Sequence, residues 1–430
     1  MSLLGIFFLS LLVMMALGFP IYLSLLGSSM IYIFLNPNLT MLTALEKMMN
    51  ATNSFALLAV PFFIFAGNIM NTGGISERIF DFAQKLVGRF KGGLGYVNIL
   101  ASTIFSGASG SALADIGGLG TIEIKAMRER KFPDNFTIGV TGASSTVGPI
   151  IPPSIPFVLY GSMANVSIGG LFFGGIVPGL LISALLCVYV YILAKKHNLP
   201  AEPAPKFGEV FTSFRRAFFA LCFPVIIIGG IWTGFFTPTE AAFVSILYGL
   251  LISLVFYRDL TLKDVPGLIV ETVRTTVPAT AVVIGAALFG WILSYEKVDR
   301  FVIDFIFSIT DNKYVILLLV NILLFILGMF VDVVAAILIT LPILLPLTTA
   351  VGVDPVHLGV IIVLNLMIGL LTPPVGMSLY MLSSVARIPF AQVVRIMLPW
   401  IVPLVIALLI VTYVPQVVLF LPKLIGIYAG

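Results

Sequence analysis

Long apolar runs that end at charged residues, prolines or glycines recur along almost the whole chain. A helix that spans a membrane needs about 20 mostly apolar residues, so each run predicts a spanning helix. The predicted spans are residues 3–18, 21–35, 55–71, 135–161, 169–195, 217–234, 238–257, 277–294, 356–385 and 397–421. The pattern therefore predicts an all-α polytopic membrane protein, with the lipid bilayer as its solvent.

Two other apolar stretches, residues 94–130 and 314–350, are interrupted near their middle by small or polar residues. The first interruption is S-G-A-S-G-S at 106–111, and the second is G-M-F-V-D at 328–332. Each half is shorter than the length that a spanning helix requires. We therefore expect two re-entrant helical hairpins, each with its tip at the interruption.

The two halves of the chain share glycines and prolines at a constant offset. Pro152-Pro153 matches Pro373-Pro374 at 221 residues, and Gly148 matches Gly369 at the same offset. We predict a first repeat over 1–195 with the hairpin 94–130 and a broken helix 135–161, and a second repeat over 217–430 with the hairpin 314–350 and a broken helix 356–385. A cytoplasmic linker over 196–216 joins them. About five spans per repeat is an odd number, which turns the second repeat upside down relative to the first. Chance coincidence among many glycines and prolines is the alternative, and the matching order argues against it.

Composition restricts the class of protein further. Of 430 residues, 60% are hydrophobic and only 10% are charged, whereas soluble domains carry about 25% charged residues. A soluble enzyme or a nucleic-acid-binding protein is therefore excluded as the whole answer. Basic clusters within 78–91, 125–131 and 195–216 account for the net charge of +4. The positive-inside rule assigns these clusters to the cytoplasm and the N-terminus to the outside.

The tandem prolines give each broken helix its predicted chemistry. Proline has no amide donor, so carbonyls that precede it lose their helical partners and need others at membrane depth. A desolvated Na⁺ binds several such oxygens, while the N-terminus of the next half-helix attracts a carboxylate. We therefore predict about two Na⁺ sites that face an anionic substrate. A packing kink with small residues at a helix contact is the alternative.

The hairpin tips are expected to complete these sites. The first predicted Na⁺ site comprises Ser106, Ser109, Gly148, Ile151 and Pro153. Its mirror comprises Gly328, Gly369, Thr372 and Val375. The carbonyl ligands at Ile151 and Val375 are inferred from spacing.

Asp332 is the residue of the predicted membrane region whose insertion costs the most free energy. A charged side chain at the centre of the bilayer costs about 2.5–3.5 kcal/mol on insertion scales. Its counterpart at the 221-residue offset is Ser111. We predict that Asp332 and Ser111 contact the substrate from the two tips, with Ser154 as a third candidate. Asp332 would accept hydrogen bonds from hydroxyl or amine groups of an acid substrate. A helix-capping role is the alternative, and the two roles can coexist.

The motifs of common enzymes do not occur. The chain lacks the phosphate-binding pattern G-x-x-x-x-G-K-[ST], the metalloprotease pattern H-E-x-x-H and the nucleophile elbow G-x-S-x-G. We therefore expect no enzymatic activity, and energy for transport would come from a gradient or from a separate protein.

Residues 106–112, 148–154, 237–242 and 371–376 together resemble the large membrane subunit of tripartite ATP-independent periplasmic (TRAP) transporters. The resemblance implies an ion-transporter-superfamily fold with an elevator motion, in the bacterial inner membrane. It also implies a Na⁺-coupled importer of organic acids such as sialic acid, sugar acids or C4-dicarboxylates. The implied partners are a separate small four-helix membrane subunit and a periplasmic substrate-binding protein. Segments 75–91 and 297–309 would be arms of the elevator, with ordinary interfacial helices as the alternative.

Other transport functions stay open at this point. A standalone Na⁺/dicarboxylate symporter of the same superfamily would need no binding protein. A channel would pass current without saturable uptake, and an intramembrane enzyme would need a polar catalytic set that the sequence does not offer.

Overall fold

The computed structural model describes residues 2–428, apart from the side chains of residues 107–109, and this part of the chain contains helices and no strand. The first half forms α1 Leu3–Ala16, α2 Ile21–Leu35, α3 Met41–Thr52, α4 Ala59–Thr72, α5 Ile75–Val87, α6 Gly93–Ser109, α7 Ala112–Gly117, α8 Leu119–Glu129, α9 Asp134–Ser144, α10 Ile155–Ala164 and α11 Ile168–His197. The second half forms α12 Phe207–Trp232, α13 Pro238–Leu251, α14 Val265–Tyr295, α15 Val298–Ile309, α16 Lys313–Phe330, α17 Val333–Ala350, α18 Pro355–Gly369, α19 Met377–Ala386, α20 Phe390–Tyr413 and α21 Gln416–Leu424. The predicted all-α class is confirmed.

Eight helical segments of the described chain are long and apolar enough to cross a membrane, which confirms the prediction of a polytopic membrane protein. Both α16 and α17 are among them, at 18 residues each. Each half of the second hairpin is therefore long enough to span, contrary to the prediction. That either hairpin is re-entrant stays a prediction.

Several helices continue beyond the predicted spans. Helix α12 begins at Phe207 and α14 at Val265, each about ten residues before the predicted span, so only residues 198–206 of the predicted linker are non-helical. Apolar patterning marks the part of a helix in lipid, whereas helical hydrogen bonding continues into its charged end. The last predicted span instead divides after Tyr413, and Val414 and Pro415 lie between α20 and α21.

The two halves pack with matching partners. Helix α4 of the first half packs against α13 of the second, and α2 packs correspondingly against α14. Helix α9 packs against α20, and α18 packs correspondingly against α11. Amphipathic helices α5 and α15 each precede a hairpin, as the predicted arms do. These correspondences support an internal repeat, and its inversion in the membrane stays a prediction.

The cores of the halves interlock at two glycines that match at an offset of 220 residues. A Cβ atom on Gly139 of α9 would lie 2.0 Å from the indole nitrogen of Trp400 in α20. A Cβ atom on Gly359 of α18 would lie 2.6 Å from Leu171 in α11 and 2.6 Å from Tyr160 in α10. Only glycine permits either approach, so each broken helix packs directly against helices of the other half.

Candidate cation site at two broken helices

The first break begins where α9 ends at Ser144 and a short 3₁₀ turn follows. The chain then runs without helical structure to Ser154, whose hydroxyl accepts the amide of Phe157 at 3.2 Å and so caps α10. The same hydroxyl donates to the carbonyl of Pro149 at 2.5 Å. Ser154 therefore holds the two sides of the break together, and its side chain is fully buried.

The tip between α6 and α7 lies directly against this break. Gly110 has a left-handed φ of +57°, and a Cβ atom there would lie 2.7 Å from the carbonyl oxygen of Pro153. A Cβ atom on Gly148 would lie 3.6 Å from the carbonyl oxygen of Ser111. The structure thus places Gly110 and Ser111 of the tip beside Pro153 and Gly148 of the break. That these residues bind an ion or a substrate stays a prediction.

The carbonyls of this junction are suited to a cation. Among the residues that the structure describes, the carbonyl oxygens of Gly148, Ile151 and Pro153 accept no hydrogen bond, and all three residues are buried. Ser106 is buried one turn before the tip, and its hydroxyl donates to the carbonyl of Thr103 at 2.6 Å, which leaves its lone pairs free. Ser109 ends α6, and its side chain lies outside the described residues. Carbonyl oxygens released from a broken helix are the ligands that transporters offer to Na⁺.

The second break repeats this arrangement. A Cβ atom on Gly369 would lie 2.6 Å from the Cα atom of Gly328, so the two backbones are in contact. The amide of Gly376 donates to the carbonyl of Met329 at 3.0 Å, which joins the far side of the break to the same tip. In the described chain, the carbonyls of Thr372 and Val375 accept no hydrogen bond. The predicted second set, Gly328, Gly369, Thr372 and Val375, therefore lies around one junction.

Ser111 and Asp332 occupy corresponding positions at the two tips. Ser111 accepts the amide of Ala114 at 3.4 Å and caps α7, while Asp332 accepts the amide of Ala335 at 3.3 Å and caps α17. Both side chains are partly exposed. The capping role that the sequence offered for Asp332 is confirmed, and contact with a substrate stays a prediction for both residues.

A buried polar network beside the first junction was not predicted. Asn98 donates to Thr141 at 2.7 Å, and Ser144 donates to Asn98 at 2.7 Å. Ser102 donates to Asp115 at 3.0 Å, and its hydroxyl also lies 3.2 Å from that of Ser144. These bonds join the first arm of the hairpin, α6, to α7 and to α9. The signal was the spacing of Asn98 and Ser102 by one helical turn in an apolar helix.

The second half has a related connection. Asn365 of α18 donates to Asn321 of α16 at 2.9 Å, and Asn321 donates to Thr412 of α20 at 3.1 Å. Each broken helix is therefore hydrogen-bonded to the first arm of its own hairpin. Hydrogen bonds between helices in an apolar core hold neighbours in one register.

Comparisons with known proteins agree with this architecture. Residues 8–417 match the family model described as the tripartite ATP-independent periplasmic transporter, DctM component. The chain is 48% identical over 95% of its length to a protein of Vibrio cholerae named sialic acid TRAP transporter large permease protein SiaM, of which it covers 95%. It is 40% identical over 88% of its length to the C4-dicarboxylate TRAP transporter large permease protein DctM of Pseudomonas aeruginosa, of which it covers 89%.

A solved structure shares the fold. The chain superimposes on the crystal structure of the Alcanivorax borkumensis YdaH transporter with a TM-score of 0.64 and 13% identity, covering 88% of this chain and 89% of the other. At that identity the similarity concerns the fold alone. The family match over almost the whole chain carries the assignment: the chain belongs to the DctM-component family of large permeases in tripartite ATP-independent periplasmic transporters.

Proposed function

We propose that this large permease imports an organic acid together with Na⁺, which binds at the two junctions between hairpin tip and broken helix. The observation that carries the proposal is the repeated geometry: at both junctions a tip glycine or carbonyl touches a break in which two or three carbonyls accept no hydrogen bond from the described residues. Free carbonyls supply the Na⁺ ligands, and the N-termini of α10 and α19 attract the carboxylate of the substrate.

The proposed substrate is sialic acid or a similar sugar acid. The name of the Vibrio cholerae relative, at 48% identity, supports sialic acid, whereas the Pseudomonas aeruginosa relative, at 40%, is named for C4-dicarboxylates. Asp332 supports the same choice, because a partly exposed carboxylate accepts from hydroxyl or amine groups and repels a second carboxylate. In this proposal, Asp332 and Ser111 contact the substrate, one from each hairpin tip. Ser154 would donate to the substrate only if it released its bond to Pro149, whereas its remaining lone pair could accept from a substrate hydroxyl.

The proposed assembly is tripartite. A periplasmic binding protein delivers the substrate, a small four-helix membrane subunit completes the permease in the inner membrane, and the chain itself catalyses no reaction. An elevator motion would carry both junctions across the membrane while α5 and α15 act as arms. Two packed hairpins with amphipathic helices before them support this motion.

The test is uptake by proteoliposomes that contain the chain with its small membrane subunit. Labelled sialic acid and labelled succinate are supplied separately, with or without the binding protein, under an inward gradient of Na⁺ or of K⁺. We expect sialic acid to accumulate only with Na⁺ and the binding protein together. Equal uptake with K⁺ would refute Na⁺ coupling.

The same experiment distinguishes the alternatives. Uptake of succinate without the binding protein would favour a standalone Na⁺/dicarboxylate symporter. Uptake of succinate that requires the binding protein would keep the tripartite assembly and refute the sugar-acid assignment. Current without saturable uptake would indicate a channel.

A further inference from the structure

A cleft of about 760 Å³ lies between α6 and α11, beside the end of α5. Most of its lining is apolar, and two lysines stand at one end. The lining residues are Val87, Phe90, Lys91, Tyr96, Ile99, Leu100, Thr103, Leu180, Ser183, Ala184, Cys187, Tyr191, Ala194 and Lys195. The proposed import mechanism gives this cleft no role.

The cleft has the length of a lipid tail. Its lining extends along α11 from Leu180 to Lys195, which is about 22 Å at 1.5 Å per residue. One leaflet of hydrocarbon is about 15 Å thick, half of the usual core of about 30 Å. The cleft therefore runs through roughly one leaflet, from a charged end toward the middle of the bilayer.

The deep end of the cleft offers no free polar group. The hydroxyls of Thr103 and Ser183 lie 2.8 Å apart, and each lies within hydrogen-bond distance of a carbonyl of its own helix, that of Ile99 or of Gly179. One hydroxyl donates to the other, which in turn donates to its own helix, so both protons are used. With these hydroxyls satisfied, the interior is effectively apolar and suits a hydrocarbon chain.

The open end is positively charged. Lys91 and Lys195 form no ion pair within the described residues, and the ammonium of Lys91 lies 3.5 Å from the amide oxygen of Asn198. The acidic side chain in the adjoining linker, Glu202, is already engaged, since it pairs with Arg130 and accepts two bonds from Gln84. Two lysines thus stand at the mouth without a compensating anion.

We propose that the cleft binds one anionic phospholipid of the inner leaflet, with an acyl chain between α6 and α11 and its phosphate between Lys91 and Lys195. Basic pockets between transmembrane helices on the cytoplasmic side are suited to anionic head groups. A zwitterionic lipid also carries a phosphate, but the cation of its own head group offsets that charge, so it would neutralise the two lysines less well than an anionic lipid.

The test uses the purified chain with its small membrane subunit, stripped of lipid in a neutral detergent. Phosphatidylglycerol, phosphatidylcholine or inorganic phosphate is titrated, and binding is followed by native mass spectrometry and by the unfolding temperature. We expect phosphatidylglycerol to bind more tightly than phosphatidylcholine by about fivefold for each lysine. Inorganic phosphate alone should have no effect in the same range.

The variant with Lys91→Gln and Lys195→Gln should lose this preference, and both side chains are at the surface, where the change leaves the fold intact. The matched control, Lys263→Gln with Lys423→Gln, removes two exposed lysines elsewhere and should keep the preference. Ala184→Trp should weaken the binding of both lipids, because the indole would fill the cleft.

Three results would overturn the proposal. Equal binding of the two lipids refutes the anionic head-group site, and equal protection by inorganic phosphate refutes the acyl groove. A preference that survives the double lysine variant places the lipid elsewhere. If the small subunit covers the cleft, no lipid preference appears in the wild type, and the proposal is equally refuted.

Discussion

The backbone contact between Gly328 and Gly369 makes Gly369→Ala a direct test of the second cation junction. The new Cβ atom would lie 2.6 Å from the Cα atom and 2.7 Å from the carbonyl carbon of Gly328. Ordinary contacts between carbon atoms are about 3.5–4.0 Å. Because both atoms belong to the backbone, no side chain can turn aside, and the tip has to withdraw from the break by about 1 Å.

The expected cost follows from that displacement. Overpacking a tight site costs about 1–3 kcal/mol. A shift of about 1 Å also takes a carbonyl ligand out of bonding distance, so the cost should appear in Na⁺ binding. The same range corresponds to a loss of Na⁺ affinity of about 5- to 150-fold.

The assay is thermal unfolding of the purified permease over a series of NaCl concentrations, with choline chloride holding the ionic strength constant. A ligand that binds the folded state raises the unfolding temperature in proportion to the logarithm of its concentration above its Kd. Gly369→Ala should move the Na⁺ concentration of half-maximal stabilisation upward by the factor given above.

Gly229→Ala is the matched control. Gly229 lies in α12, and no heavy atom lies within 4 Å of a Cβ atom built there. The control should keep the Na⁺ response and gain up to about 1 kcal/mol from better helix propensity. If Gly369→Ala responds to Na⁺ at wild-type concentrations, the second junction does not bind the ion and our reasoning fails.

Three further predictions follow from the first junction and the tips. Asp332→Asn keeps an N-cap residue and should leave the unfolding temperature nearly unchanged while abolishing uptake; wild-type uptake would exclude Asp332 from the substrate site. Gly148→Ala should weaken Na⁺ stabilisation less than Gly369→Ala does, because its Cβ atom meets Ser145 only at 3.3 Å, and an equal or larger effect in the same titration would contradict this ranking. Ser102→Ala leaves Asp115 without its hydroxyl donor and should lower the free energy of unfolding by about 1–3 kcal/mol. Unfolding experiments measure this change, with Ser308→Ala as the exposed control, and an unchanged free energy of unfolding would show that the network does not stabilise the fold.

The places where a hairpin tip meets a broken helix were predictable from the sequence because glycine and proline act through the backbone. Pro152-Pro153 removes two consecutive amide donors, which interrupts a helix more strongly than the single prolines that α17 and α20 contain. Glycines that match at the offset of the prolines mark places where two backbones meet. The contact of Gly328 with Gly369 was therefore predictable before any side chain was placed.

Polar side chains were harder to predict, since the same group serves several roles. Ser154 follows a proline break, where a hydroxyl can bind a substrate or cap the next half-helix, and the structure shows the cap. In the sequence, Asn98 and Ser102 look like polar residues on the exposed face of a helix. Only the position of α9 shows that both are buried and hydrogen-bonded to it. Predicted span ends differ from observed helix ends, as at residue 217, where the predicted span starts ten residues after α12 begins at Phe207. Hydropathy indicates the boundary of the lipid and not the end of helical hydrogen bonding.

At Gly139 and Gly359, the broken helix of each half packs against helices of the other half, and this has a consequence for biosynthesis. The first broken helix meets Trp400 only after nearly the entire chain has left the ribosome, so the N-terminal half must wait in the membrane with its kinked helix uncovered. A chain split in the connector at 198–206 should consequently yield two fragments that are each degraded when expressed singly and that rescue one another when expressed together.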